Sequence, residues 1–254
     1  MKLDRPVTAI LFDLGNTLWP DIWSASGEHL ATLANRRVDE FLVSRGLEIP
    51  GAPAGVGERI RSAALASYQL ACSTDRGSPR LDLVCRDVVR QLGLALNLAQ
   101  CNALLDCINL EGPDSGRSLF EDALPVLETL HARGFKMGIV SNRLFAGERF
   151  AETLRHLGLT PFFQTVRTSC DFGFLKPHPR IFKVALRDLG VTPRQAVMVG
   201  DSLDADIEGA RVLGLRTIWR RNGDQSPGAA RPDWTIAQLS DLLTISALQE
   251  SRAQ

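Results

Sequence analysis

The sequence predicts an α/β protein, a doubly wound and mostly parallel sheet that carries an inserted all-helical subdomain. Three observations lead there. A short apolar run at residues 8–12 is stopped by Gly and Asn. From about residue 119 onward, helical patterns ending in Gly alternate with apolar strand-like runs. The stretch between these regions carries helical patterns and no convincing strand.

The first element, Thr8-Ala9-Ile10-Leu11-Phe12, reads as a buried strand because it is short, mostly apolar and followed by Gly15 and Asn16. The insertion at 20–118 holds helical patterns at 30–42, 56–72, 81–92 and 98–108. Loops rich in Gly, Pro and Ser separate them, such as Pro50-Gly51-Ala52-Pro53-Ala54-Gly55. The α/β rhythm resumes at 123–133, a helix with Leu124, Leu127 and Leu130 on one face, followed by Gly134 and a strand at 135–140. A helix at 148–157 stops at Gly158 and leads to a strand at 162–166. Pro179 opens a helix with Ile181, Phe182, Ala185 and Leu189 inward, and Gly190 closes it before the strand at 196–199. The final unit is a helix at 205–213, Gly214 and a strand at 215–219. Pro has the φ a helix start needs, and Gly tolerates the left-handed residue past a helix end. Strands alternating with helices imply right-handed crossovers and a parallel sheet covered on both faces. Residues 1–19 and 119–254 therefore form a Rossmann-like core, and 20–118 a helical subdomain.

Composition narrows the function classes. Of 254 residues, 44% are hydrophobic and 23% charged, which suits an ordinary globular chain. Lys plus Arg (29) balances Asp plus Glu (29), so no nucleic-acid or membrane-surface binding is expected. No apolar run reaches the ~18 residues of a membrane span, and Met-Lys-Leu-Asp-Arg-Pro lacks a signal-peptide apolar segment. The expected compartment is the cytoplasm. The five cysteines have no CxxC pair and no histidines spaced to complete a zinc site, so they read as reduced, mostly buried thiols. Oligomeric state is not legible.

Four segments fall at the carboxyl ends of predicted strands: Asp13, Ser141-Asn142, Lys176-Pro177 and Gly200-Asp201-Ser202. In a parallel sheet these ends share one edge, where open α/β sheets bind ligands. Two carboxylates suit Mg²⁺, a hard cation that prefers oxygen ligands and keeps positions for water and phosphate oxygens. A Lys and a Ser donor beside such an ion suit a phosphate group, and a neighbouring carboxylate can act as a nucleophile through an aspartyl-phosphate.

Taken in order, Phe12-Asp13-Leu14-Gly15-Asn16-Thr17-Leu18, Val140-Ser141-Asn142, Lys176-Pro177-His178-Pro179 and Gly200-Asp201-Ser202-Leu203-Asp204-Ala205-Asp206 resemble the motifs of the haloacid dehalogenase-like hydrolase superfamily. The resemblance covers residues 7–19 and about 119–240. It implies Asp13 as nucleophile, with Ser141, Asn142 and Lys176 at the phosphoryl group. It implies Mg²⁺ bound by Asp13, Asp201 and the backbone carbonyl of Gly15, with Thr17 and Asp206 in support. The insertion takes the position of the family's helical cap, which closes over the site and selects a small phosphorylated metabolite.

Gly15 departs from the family's phosphatase pattern, where an Asp two residues after the nucleophile usually acts as general acid and base. Such a group is worth ~10² to 10⁴ in rate, or about 3 to 5.5 kcal/mol. Three readings follow. The first is a phosphatase that uses good leaving groups or borrows an acid from the cap or Asp21. The second is an impaired relative that binds a phosphorylated ligand or a protein partner. The third is another superfamily reaction. A dehalogenase would be expected to carry an aromatic residue at 15, and a phosphonatase a cap lysine, which residues 20–118 lack. Several residues have plainer readings: Ser141 as a helix cap, Asp206 as a helix-dipole partner, His178 as a loop-surface residue and Arg220-Arg221 as a solvated pair. Trp19 and Trp23 read as hinge packing, whereas Arg76, Arg80 and Arg86 are weak candidates for substrate contact.

Overall fold

The computed structural model describes residues 6–20, 27–47, 55–74, 77–223, 226 and 228–249. Six strands form its sheet: β1 (Ala9–Phe12), β2 (Lys136–Ser141), β3 (Thr165–Thr168), β4 (Ala196–Gly200), β5 (Arg216–Arg220) and β6 (Trp234–Ile236). All pairings are parallel and the order is β3-β2-β1-β4-β5-β6. β1 and β4 are buried along their whole length, as continuous apolar runs in a sheet covered on both faces must be. In register, Phe12 lies beside Ile139 on one side and Val199 on the other, so the three central strands end together. Chain order reverses on either side of β1, the arrangement that opens a crevice at the carboxyl ends.

Two compact units divide the chain. The first comprises residues 1–21, 117–143 and 154–254 and contains the sheet with α5 (Ala123–Ala132), α7 (Ser169–Phe172), α8 (Pro179–Leu189) and α9 (Gly209–Arg211). The inward positions read from the sequence in α8, namely Ile181, Phe182, Ala185 and Leu189, are buried against Leu11, Val140 and Met198 of the sheet.

The second unit comprises residues 22–116 and 144–153. It is built on α1 (Gly27–Ser44), α2 (Val56–Ser73), α3 (Leu81–Gln91) and α4 (Leu98–Ile108). These helices share a core of Val38, Ile60, Val89, Leu104 and Ile108. The close approach of α1 and α2 needs Gly57, because a Cβ there would lie 2.7 Å from Asn35 Oδ1. Asn35 in turn accepts the Glu58 N–H at 2.7 Å, satisfying one of the orphan donors at the start of α2.

Residues 144–153, read from the sequence as part of the core, group with the helical unit. A buried polar network explains why. Thr153, in α6 (Glu148–His156), donates to the buried Glu111 carboxylate at 3.0 Å and accepts from Gly112 N–H at 2.6 Å. Arg149 Nε adds a bond to the Glu111 carbonyl at 3.1 Å.

Other departures from the sequence reading are local. The third strand begins at Thr165, because Thr160-Pro161-Phe162 makes a 3₁₀ turn. β6, absent from the reading, has three residues and is docked by Asp233, whose carboxylate accepts the Thr217 N–H at 2.8 Å and its hydroxyl at 3.1 Å. The helix expected at 205–213 is π-helical over Leu203–Glu208 and α-helical only at α9. No disulfide joins the cysteines. Cys85 and Cys101 are buried in the helical core and the other three are half-buried. Burial, then Cys101, pushes the Cys85 thiol up to about 12, which keeps it unreactive.

Candidate functional site

β1 delivers Asp13 to the carboxyl edge of the sheet, where its N–H continues the ladder to the Val199 carbonyl at 2.9 Å. The chain then turns sharply, with the N–H groups of Thr17, Leu18 and Trp19 all directed to the Leu14 carbonyl. Asn16 makes the turn possible by adopting φ 52°, a left-handed conformation that Asn tolerates better than most residues.

Lys176 enters from the loop before α8 and is the keystone of the site. Its Nζ donates to Asp13 Oδ1 at 2.5 Å, Asp206 Oδ1 at 2.6 Å and the Val140 carbonyl at 2.8 Å. An ammonium has three donors, and these partners fill them. Lys176 therefore fixes the position of Asp13 and leaves its charge, rather than a further donor, to offer at this edge. Only 2% of the residue is exposed. Burial pulls its pKa down, but the Asp13 and Asp206 carboxylates outweigh that and hold it above its ordinary value.

Asn142 sits behind Lys176. Its side-chain amide accepts the Lys176 N–H at 2.7 Å and donates to the Lys176 carbonyl at 3.1 Å. Both ends of that amide hold the lysine's peptide, so Asn142 fixes the backbone from which Lys176 reaches the site. Gly209 supports the same loop, since a Cβ there would lie 2.8 Å from Pro177 Cβ. The sequence offered only a mid-helix Gly as a signal for that contact.

From β4, Asp201 reaches the edge half-buried, its carbonyl accepting Trp219 Nε1 at 2.9 Å. Four residues before Asp206, Ser202 supplies the N–H that Asp206 Oδ2 accepts at 3.0 Å. Asp206 turns inward under Lys176, whereas Asp204 is exposed. Helix-dipole placement alone therefore does not describe Asp206. The inward turn also explains Gly200, where a Cβ would lie 2.2 Å from Asp206 Oδ2. Ser141 is buried at the end of β2 beside Val140, in register with Thr168. Thr17 is fully buried, and its hydroxyl has no hydrogen-bond partner among the described residues.

Carboxylate oxygens of Asp13, Asp201 and Asp206 lie within 4.8 Å of one another. Three carboxylates against one ammonium leave an excess of negative charge in a mostly buried place. Burial, then the Asp13 charge, raises Asp201 to about 6, with Lys176 opposing. Burial raises Asp206 to about 7, with Lys176 the main opposing influence and Asp13 a further raising one. An all-oxygen donor set with surplus negative charge fits a hard divalent cation.

Residues the sequence reading placed elsewhere also join this edge. Arg220, read as half of a solvated pair, is only 7% exposed, packs its guanidinium 3.9 Å from the Phe120 ring centroid and donates to the Asn16 carbonyl. β6 beside β5 and Phe120 beneath Arg220 remove it from water, features that no local pattern revealed. Among the other candidates, His178 is half-buried and caps α8, its Nδ1 accepting the Arg180 N–H at 3.3 Å while its ring stacks on Phe174. Trp19 is buried with Arg117 and Arg143 over its ring. Arg80 pairs with Asp82 at 2.6 Å, and Arg86 lies 4.0 Å from Asp87. Asp21, Trp23 and Arg76 lie outside the described residues. A cavity of about 630 Å³ within the helical unit is lined by Arg37, Phe41, Asp106, Cys107 and Arg149 among others. Its lining mixes Glu40, Asp106 and Glu148 with Arg37 and Arg149, whereas among the described residues the carboxylates gathered within 4.8 Å are those of the strand ends, the stronger site.

Residues 7–214 match the family model for haloacid dehalogenase-like hydrolases. The chain is 37% identical over 129 residues to a pyrophosphatase, PpaX, of Bacillus pumilus, covering 50% of this chain and 58% of that protein. It is 39% identical over 131 residues to a glyceraldehyde 3-phosphate phosphatase of Methanopyrus kandleri, covering 50% and 55% respectively. Thus the chain spans somewhat over half the length of these curated relatives. Among solved structures, a 2-haloacid dehalogenase of Pseudomonas syringae superposes with a TM-score of 0.67 at 24% identity, over 94% of this chain and 97% of that one. At that identity the likeness speaks for the fold.

Proposed function

This chain belongs to the haloacid dehalogenase-like hydrolase family, and we propose that it is a Mg²⁺-dependent phosphomonoesterase that acts on a small phosphorylated metabolite through an aspartyl-phosphate on Asp13. One observation carries the reading: the buried Lys176 ammonium bonded at once to Asp13 and Asp206, with Asp201 completing the carboxylate set. The phosphatase names of the relatives support the substrate class.

Asp13 attacks phosphorus through the carboxylate oxygen not bonded to Lys176, and the ester P–O bond breaks to release an alkoxide that takes its proton from water. Lys176 fixes the rotamer of Asp13, and its charge offsets the negative charge converging on the phosphoryl group. Ser141 offers a hydroxyl donor at the end of β2. A divalent cation held by Asp13, Asp201 and the Gly15 carbonyl would neutralise phosphoryl oxygens through the reaction. Water then attacks phosphorus, releasing phosphate and restoring Asp13. With Gly at 15, no carboxylate follows Asp13 to protonate the leaving oxygen, so substrates with stable leaving groups are favoured. Much of phosphoryl transfer is positioning and charge stabilisation, and both survive that loss.

Hydrolysis of p-nitrophenyl phosphate with and without Mg²⁺, in the native protein and Asp13→Asn, tests the reading. Turnover is expected to require the ion and to fall by more than about 10³-fold in the variant. Turnover that survives either change would sink the mechanism. Mg²⁺ and phosphate binding without any turnover would favour the alternative of an impaired, ligand-binding relative.

A further inference from the structure

The Asp13–Thr17 turn has no side chain at Gly15 to anchor it, and a Cβ at that position would meet nothing within 4 Å. The anchor comes instead from the far end of β5. Arg220 Nη1 donates both to the Asn16 carbonyl and to Asn222 Oδ1, the latter at 2.7 Å. Asn222 Nδ2 also approaches the Asn16 carbonyl at 3.4 Å and Asp201 Oδ2 at 3.5 Å. The Asn16 side chain, in turn, is hydrogen-bonded to Asp201. The Phe120 ring, 3.9 Å from the guanidinium carbon, gives Arg220 a fixed seat and a cation–π contact.

We propose that Arg220, with Asn222, is a positioning residue that holds the Asn16 peptide and, through the Asn16 side chain, sets the Asp201 carboxylate for cation binding. The inference rests on the phosphatase reading above. Its physical basis is that a left-handed non-Gly residue stays put only where its surroundings over-determine it. Here one guanidinium nitrogen and one side-chain amide converge on the same carbonyl. Loss of a partner that orients a metal ligand typically costs 10- to 100-fold in metal affinity.

The test uses the full chain as Arg220→Met, Arg220→Lys and Asn222→Ala, with Mg²⁺ affinity from calorimetry, melting temperature, and separate kcat and KM for p-nitrophenyl phosphate. Arg220→Met keeps the contact with Phe120 and removes the donors. It is expected to weaken Mg²⁺ binding about 10-fold and lower kcat by a similar factor, with KM changing less than about 3-fold. Arg220→Lys, which keeps the positive charge and a donating nitrogen without the planar guanidinium, should recover part of both losses. Asn222→Ala leaves Arg220 in place and is expected to weaken Mg²⁺ binding by roughly 3-fold, so it carries the test if Arg220→Met does not fold. Unchanged Mg²⁺ affinity in a folded Arg220→Met, or in Asn222→Ala, overturns the proposal. So does a loss of melting temperature with Mg²⁺ affinity intact. A native protein that binds no Mg²⁺ would overturn the metal reading itself and this inference with it, an outcome visible before any variant is made.

Discussion

At the scale of single residues, Gly15 and Lys176 define the chemistry from opposite sides. Gly15 has an ordinary φ and open space where a Cβ would go among the described residues, so a side chain can be added without displacing the turn. Gly15→Asp is therefore expected to fold normally. It should raise turnover on alkyl phosphates by roughly 10²-fold or more, and on p-nitrophenyl phosphate much less, because only poor leaving groups need the proton. An equal gain on both substrates would show that the missing acid is not limiting. Lys176 is the opposite case, a residue whose removal leaves the buried Asp13 and Asp206 without a counter-charge. Lys176→Met should cost about 3 to 5 kcal/mol in urea denaturation without Mg²⁺. Added Mg²⁺ should narrow the gap by supplying positive charge to the same carboxylates.

At the scale of elements, the edge strand β3 depends on α8 through one carboxylate. Asp188 accepts from Thr165 Oγ1 at 2.8 Å and Arg167 Nε at 2.7 Å, with Arg167 Nη2 at 2.6 Å. Burial works against this carboxylate, but the Thr165 and Arg167 donors prevail and hold its pKa below the ordinary 3.8. A depressed folded-state pKa means that the stabilisation is present above the ordinary carboxylate value and is lost as pH falls through the folded one. Asp188→Asn is expected to cost about 1 to 2 kcal/mol at pH 7. Denaturant melts should show its stability converging on that of the native protein as the acid is titrated. A second element-level constraint lies at the β4 terminus, where Gly200 lets Asp206 fold back over the backbone. Gly200→Ala should displace Asp206 and reduce both Mg²⁺ affinity and turnover, as calorimetry and kinetics would reveal.

At the scale of the whole molecule, the described residues include one hydrophobic core against the sheet and another among the four long helices. Leu104, fully buried in the helical core, is expected to cost about 2 to 5 kcal/mol of that unit's stability when cut to Ala. The Mg²⁺ dissociation constant should stay unchanged, because the proposed ligands belong to the other unit. With a cation bound as proposed, the sheet unit's stability is expected to depend on that ligand. Mg²⁺ at 100 times its dissociation constant should add about 2.7 kcal/mol, reversed by a chelator.

Much of this was legible in the sequence because it depends on local patterns. Periodic apolar runs, Pro openers and Gly stops located five of the six strands and the helices that connect them. Parallel topology then obliged Asp13 and Asp201 to share one edge, since strands of a parallel sheet end on the same side, and Lys176 reaches it from the loop between α7 and α8. The resemblance to the family's motifs singled out Asp13, Lys176, Asp201 and Asp206, whose charged groups meet at that edge. What tertiary structure alone decided is how those groups face one another. That Lys176 has every donor engaged, that Asn142 holds the lysine's peptide, that Arg220 is buried on Phe120 and that Gly200 and Gly209 are close-approach positions all depend on contacts between segments far apart in the chain. β6 escaped for the same reason, because three residues are too short to show a period and are held by a carboxylate bonding to the neighbouring strand. A sequence records which side chains reach an edge through local periodicity; their partners there are set by packing across the whole sheet unit.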